Sequence, residues 1–457
     1  MINCFLLALF EKLIVLIWNK LLRRAPPAGV SLGFQVKDGV VSKREVILPE
    51  ERRPEHIAIV GKTGTGKSSL LRHLMAQDIK KGLGFVCIDL HGDLVPFVLS
   101  EICAREHALK KQFSWRTRLM TLSSPKYALG LNPLECSEDQ SRAALISEIV
   151  TLLRHRWNLD HFGARTEELL RNALWVLSEN NLTFLEVSPF LTNSVYRSTL
   201  LRRVTNPEVK RYFEDRYDRA SEAMQSVMRE AVLNKVTAFT LDPGLRHVIG
   251  QQKSSYSIRE ALDEGHWILL DLPKGRLGEN ALTFAGLFLA KLKSSIFSRH
   301  RRNLFTIYAD ELPNLIAVDD AFGTLLAEAR KFGVSVVSAN QFLNQLAPAM
   351  RSSLLSVGTN LCFQLSAEDA PFMARALDGE KSLARKLTTL EPRHFVVRLG
   401  DFRREVCVPT IRKQNVQVSD LVHRSLMRFG KLREDIEAEI NARTPKQTTS
   451  QNLEDWQ

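Results

Sequence analysis

Two short runs of residues have the types and spacing to act together on a triphosphate. Gly61, Lys62, Thr63, Gly64, Thr65, Gly66, Lys67 and Ser68, followed by Ser69, fit the pattern G-x-x-x-x-G-K-[ST]. Glycines there let backbone N–H groups close around phosphate oxygens, and the helix that follows adds positive potential. Lys67 is expected to reach the outer phosphates, and the Ser68 hydroxyl to ligate Mg²⁺. The second run is Asp310-Glu311, at the end of the apolar stretch 304–309. Both carboxylates are expected at the carboxyl edge of a sheet, where open α/β sheets take their ligands. Asp310 would hold Mg²⁺ through water, and Glu311 would act as base or orienting group for the attacking water. Taken singly, the first run could be a glycine-rich turn and the second an ordinary acidic strand end. Together they describe hydrolysis of a nucleotide. No Asn-Lys-x-Asp run stands out to read guanine, so ATP is expected.

Positioning these groups needs strands that end at them. Residues 57–60 form an apolar strand before the glycine loop, and 68–81 a helix with Leu70, Leu71, Leu74, Met75 and Ile79 at helical spacing. Further apolar strands are expected at 85–88, 267–272, 304–309, 334–339, 361–365 and 394–399, alternating with helices. Such alternation builds a mainly parallel sheet covered on both faces. Residues 30–48 alternate loosely around Lys37-Asp38-Gly39 and read as a small β extension. Between 138 and 254 the pattern is helical, with few strand-like runs, and reads as an all-α insertion. Residues 420–442 read as one charged helix, and the polar stretch after it as a disordered tail.

The domain expectation is therefore an apolar N-terminal helix at 1–24 and a β extension at 25–53. An α/β ATPase core follows in two parts, 54–137 and 255–415, interrupted by the insertion at 138–254 and followed by the helix and tail at 416–457. A chain of 457 residues is long enough for several such units. With 44% hydrophobic residues, wholesale disorder is excluded. The formal charge of +12 suits a polyanion such as DNA, or an anionic membrane surface. The six cysteines are scattered without a C-x-x-C run, which points to a reducing compartment and no structural zinc.

Residues 4–10 and 13–18 are apolar but separated by Glu11-Lys12, and Lys20, Arg23 and Arg24 follow. That order suits a helix lying in a membrane interface, or an anchor with its basic end in the cytoplasm. A helix packed on a partner subunit is the plainer alternative. A cleaved signal would place its basic residues first.

Arg330 lies between the Asp310 strand and the next one, and Gln341 just past the end of that next strand. A polar group at that edge could sense the γ-phosphate, and the arginine could reach a neighbouring subunit's nucleotide. A salt-bridged surface arginine and a capping glutamine fit these positions equally well on physical grounds.

Several runs recur in a telling order: 61–68, Asp89-Leu90-His91-Gly92-Asp93, Leu131-Asn132-Pro133-Leu134, Arg165 with Arg171-Asn172-Ala173-Leu174, Asp310-Glu311, the run 328–333, and Asn340-Gln341. In this set the chain resembles the HerA/FtsK superfamily of P-loop ATPases over about residues 30–410. It is most similar there to the conjugative coupling-protein branch of type IV secretion (TraD/TraG-like) and to helicase-HerA-like ATPases. The resemblance implies a RecA-like α/β fold with an inserted helical domain, ATP and Mg²⁺ as cofactors, and a homohexameric ring that pumps DNA. It also implies Gln341 as sensor and Arg330 as a finger offered in trans. Expected partners are DNA, a relaxase and a secretion channel, in the bacterial cytoplasm at the inner-membrane surface. Leu90 stands where the family usually has proline. A second N-terminal membrane helix is missing from the pattern, and the family's N-terminal barrel has shrunk to 30–48 at most.

The basic clusters Arg154-His155-Arg156-Trp157, Arg165 and Arg299-His300-Arg301-Arg302 are candidates for DNA phosphates, which need only exposed Lys or Arg. Two rival functions keep the nucleotide site: a soluble motor that serves a nuclease in repair or phage defence, and a nucleotide-switched scaffold that recruits cargo protein.

Overall fold

The computed structural model describes residues 28–137, 140–157, 163–310, 319–341, 343, 346, 348–399 and 402–444, with backbone alone for 319–323. The expected helix at 1–24, Glu311 and the tail beyond Thr444 lie outside the described residues.

The strands are β1 (Gly29–Lys37), β2 (Val40–Pro49), β3 (Ile57–Val60), β4 (Gly84–Asp89), β5 (Thr117–Thr121), β6 (Tyr127–Ala128), β7 (Trp267–Asp271), β8 (Phe305–Asp310), β9 (Val334–Asn340), β10 (Thr359–Cys362), β11 (His394–Leu399), β12 (Phe402–Cys407) and β13 (Lys431–Leu432). All but β6 and β13 join one sheet in the order β2-β1-β12-β11-β10-β3-β9-β8-β4-β7-β5. The run from β10 to β5 is parallel throughout. The four strands at the other side are antiparallel. The fold is thus the expected α/β, RecA-like one, and the N-terminal extension is a hairpin stitched to the main sheet through Phe34↔Cys407. Its turn uses Asp38 (φ 51°) and Gly39 (φ 76°), both left-handed, as two-residue hairpin loops require.

Alternation along the strands splits the core in two. Ile57 and Ile59 face one layer, with α1 (Lys67–Lys81) and α2 (Leu94–Leu109). Ala58 and Val60 face the other, with α3 (Arg142–Arg156), α4 (Ala164–Glu179), α5 (Glu222–Thr240) and α6 (Glu279–Phe297). Strand β3 is buried at every position, which is why its sequence is continuously apolar. Helix α1 buries the five apolar residues read from its sequence and stops at Gly82 (φ 73°), whose N–H caps the Asp78 and Ile79 carbonyls. Between Arg142 and Ile249 the described residues form helices and no strand.

Three expectations need correction. Strands β5 and β12 carry too many polar residues to have been anticipated, and the 361–365 strand ends at Cys362. The single C-terminal helix is two, α8 (Ser419–Phe429) and α9 (Arg433–Arg443), the label α7 being kept for Asp319–Ala329. Gly430 breaks it, and the chain then turns to pair Lys431 with Ala128.

Beneath α1 lies an ion pair with no exposure on either side: Arg53 Nη1 donates to Asp78 Oδ1 at 2.6 Å and Nη2 to Oδ2 at 2.7 Å. Arg53 also donates to Thr306 Oγ1 (2.9 Å) and Tyr308 OH (3.1 Å), while Tyr308 OH donates to Asp78 Oδ2 (2.7 Å). Removing one charge strands the other away from water. Asp78→Asn is therefore expected to cost about 3–5 kcal/mol, read from the urea midpoint. Replacing both partners with apolar residues, as Arg53→Met with Asp78→Leu, should cost less than the single change; an additive loss would show that the pair is not coupled.

Candidate nucleotide site

The glycine loop sits at the carboxyl end of β3, anchored on both sides. Gly61 N donates to Asn340 O (3.1 Å) at the end of β9, and Lys62 N to Gln364 O (2.8 Å) beyond β10. Gly64 (φ 78°) and Gly66 (φ 114°) adopt backbone that other residues avoid. A Cβ on Gly61 would stand 2.5 Å from Phe363 Cβ, and one on Gly66 2.9 Å from Arg393 Cα. Arg393 N closes the far side of the loop by donating to Thr65 O at 2.7 Å. Lys67 opens α1 and is buried, and its ammonium donates to the loop carbonyls Gly61 O (2.6 Å) and Lys62 O (2.9 Å). The charge thus lies across the loop's own concavity, where phosphate oxygens would replace the carbonyls. Ser68 and Ser69, half-buried, complete the first turn of α1.

Neighbouring strand ends continue the row, since sheet order places β9, β8 and β4 successively beside β3. Gln341, one residue past β9, accepts from Thr63 Oγ1 at 2.9 Å, so the expected sensor touches the loop directly. Asp310 ends β8 with its side chain largely buried, level with Ala339 of β9. The hydroxyl of Ser68 and the carboxylate of Asp310 are hard oxygen donors, the kind that suits Mg²⁺. On the far side of Asp310 stands His91, with Nε2 4.0 Å from Asp310 Oδ2.

The loop that carries His91 is built by Asp89. Its Oδ1 accepts from the backbone of His91 (3.1 Å) and Gly92 (2.7 Å), and Oδ2 from Leu94 (2.9 Å) and Val95 (2.8 Å). Gly92 supplies a positive φ of 80°, and Arg72 on α1 pairs with Asp93 at 2.6 Å. The run 89–93 was singled out in the sequence, but its contribution to this edge was not. One strand over, burial pushes the Asp271 carboxyl upward, opposed by the bond from Thr121 Oγ1 at 2.8 Å.

Arg330 is not in this row. It precedes β9, so it lies at the amino edge of the parallel sheet, across from its own glycine loop. Its guanidinium, 61% exposed, pairs with Glu55 at 3.3 Å. Beside it His56, at φ 68°, bonds Leu326 O through Nε2 (2.5 Å) and accepts from Val336 N through Nδ1 (3.0 Å). Burial holds that imidazole below its ordinary value, against the Leu326 bond and with Arg330 adding to the effect. Glu311 lies outside the described residues.

Two of the basic clusters are structural in part. Arg299 is buried and bonds Asp263 (3.2 Å) and the carbonyls of Phe332 (2.9 Å), Asn303 (3.1 Å) and Leu262 (3.2 Å). Trp157 is buried against Phe239, and Arg154 pairs with Glu167 at 3.1 Å. Arg301 and Arg302 remain exposed.

The profile of the family described as "Helicase HerA, central domain" matches residues 53–292. No curated protein matches by sequence. Among solved structures the chain is similar to the bacterial conjugative coupling protein TrwBdeltaN70 in its unbound form, with a TM-score of 0.58 at 16% identity over 87% of this chain and 92% of that one. It is similar to the plasmid coupling protein TrwB in complex with ADPNP, with a TM-score of 0.58 at 17% identity over 87% of this chain and 93% of that one. A third likeness is to VirB4 of Thermoanaerobacter pseudethanolicus, with a TM-score of 0.56 at 17% identity over 85% of this chain and 98% of that one. At such identities the likeness is one of fold.

The tight approach at Gly66 generates a direct test. Gly66→Ala places a Cβ against Arg393 backbone at a φ that alanine avoids, so binding of a fluorescent ATP analogue should weaken at least about ten-fold, roughly 1.4 kcal/mol. Unchanged affinity would mean that the loop does not hold the phosphates.

Proposed function

The chain belongs to the Helicase HerA central-domain family, and from that premise we propose that this P-loop ATPase is a DNA translocase working as a ring of identical subunits. One observation carries the proposal. Thr63, Lys67, Gln341 and Asp310 line the carboxyl edge of the sheet, while Arg330 stands exposed at the opposite edge. A finger so placed, exposed and paired only at the surface with Glu55, would be out of reach of its own nucleotide and could serve a neighbour's. That division of one site between two subunits is what a ring provides.

When bound, Mg²⁺ and ATP supply the reacting triphosphate and the charge that neutralises its oxygens. Residues 61–67 would wrap the phosphates in backbone N–H groups, and Lys67 would exchange its two carbonyl partners for phosphate oxygens. Ser68 and Asp310 would hold the metal, and Glu311 would orient water. Gln341, bonded to Thr63, would sense loss of the γ-phosphate, and the neighbour's Arg330 would stabilise the transition state. The surplus of cationic residues, with Arg301 and Arg302 among the exposed ones, suits a DNA backbone as cargo. Likeness of fold to a conjugative coupling protein and to VirB4 supports a place in conjugative or mobile-element DNA transfer, with a relaxase and a type IV secretion channel as partners on the cytoplasmic side. No helix among the described residues is long and apolar enough to cross a membrane, and an inner-membrane contact would rest on residues 1–24.

Lys67→Ala is expected to abolish hydrolysis together with tight nucleotide binding. Glu311→Gln should bind ATP normally yet turn over at least about a hundred-fold more slowly, the lower range for a lost general base. A DNA translocase should hydrolyse severalfold faster with DNA; a rate indifferent to DNA would favour the cargo-recruiting scaffold.

Arg330→Ala alone should retain ATP and lose most turnover. Mixed with Lys67→Ala, it should regain activity at the hybrid interfaces that pair an intact loop with an intact arginine. Titrating one variant into the other and following phosphate release measures this, and a flat line would refute the shared site.

A further inference from the structure

The geometry points to His91 as a positioning residue for the metal at the nucleotide site, acting through a water that it shares with Asp310. This rests on the proposed reading of that site. Its Nε2 stands 4.0 Å from Asp310 Oδ2. That is too long for a direct hydrogen bond. Two acceptors of one water, each about 2.8 Å from its oxygen, stand roughly 4–4.5 Å apart, which is the separation seen. Mg²⁺ holds on to several of its waters and is fixed largely through them, so groups that orient those waters matter as much as direct ligands.

The surroundings of His91 argue against a merely structural role. Its side chain is 51% exposed at the open edge, unlike a histidine that fills a core. The loop does not need the imidazole, because the Asp89 carboxylate gathers the four backbone N–H groups, Gly92 supplies the left-handed turn and Arg72 pairs with Asp93. Only the backbone of His91 takes part in that scaffold. What remains is an imidazole held on a hydrogen-bonded turn, 4.0 Å from the carboxylate expected to hold the metal through water. Strand order brings the two together, since β4 runs immediately beside β8 with Ile88 level with Ala309.

The probe is a fluorescent non-hydrolysable ATP analogue bound to the full chain, titrated with Mg²⁺ and compared with EDTA. His91→Ala should raise the Mg²⁺ concentration at half-saturation about ten-fold, the lower end for loss of an outer-shell partner. Analogue affinity in EDTA should stay as in the parent. His91→Gln, whose amide oxygen can accept from the same water, should recover part of the loss. A Mg²⁺ midpoint within two-fold of the parent would overturn the inference, as would an equal loss of analogue binding with and without Mg²⁺. Lys67→Ala serves as the parallel control: if it binds the analogue as well as the parent does, the site reading itself has failed. If it loses binding while His91→Ala keeps a normal Mg²⁺ response, only the role of His91 falls.

Discussion

A buried charge without its partner costs several kcal/mol, and this fold places one ion pair where it braces the candidate nucleotide site. Arg53 lies in the turn before β3, Asp78 in the helix after the glycine loop, and Thr306 and Tyr308 in β8. Side chains alternate along a strand, so Thr306, Tyr308 and Asp310 share one face of β8, the face toward α1. The network that fixes Tyr308 against Asp78 therefore also sets how Asp310 stands to the helix that begins with Lys67. Helix α1 is a stiff rod between Lys67 and Asp78, so its far end governs its near one. The relative placing of Lys67 and Asp310 is thus braced from beneath, as the proposed site needs.

The antiparallel annex has a second job. Directly before strand β11 stands Arg393, whose backbone walls one side of the glycine loop and whose φ of 68° is unusual for a side chain of that size. Strand β1 is tied to α1 by paired bonds between Ser31 and Gln77, at 2.8 and 2.9 Å. Both additions brace the loop and its helix from the flank that the parallel strands leave open.

Most of this architecture was legible as apolar runs, because a strand buried on both faces admits little else. Where a strand carries polar residues with partners of their own, the signal fades. Strand β5 lies at the edge, and Ser425 of α8 donates to its Thr117 carbonyl, so polar residues are tolerated there. Strand β12 carries Glu405, whose charge is met by Lys386 (2.6 Å) and His394 (2.9 Å) and is held below the usual carboxylate range despite burial. The placement of the glycine loop, Asp310 and Gln341 at one sheet edge was readable because each follows an apolar strand; the sensor role of Gln341 came from the resemblance alone. The approach of His91 to Asp310 was not, because it depends on strand order, and nothing local in the sequence says that β4 lies beside β8. The helix break at Gly430 is followed by the pairing of Lys431 with Ala128 of β6, which nothing local in the sequence announces either.

Arg330 makes the same point from the other edge. Its partner Glu55 is two residues ahead of β3, and the glycine loop begins directly after that strand. Buried throughout and hydrogen-bonded on both sides, β3 has little freedom to bend. With Arg330 serving a neighbour as proposed, each subunit would carry both of its nucleotide contacts at the two ends of this one short strand. On that proposal, a shift that drew Arg330 toward a neighbour's phosphates would break or pull its pair with Glu55, at the root of the strand that ends in the subunit's own loop. Communication between successive sites around a ring then needs no long pathway, since four buried residues already join them.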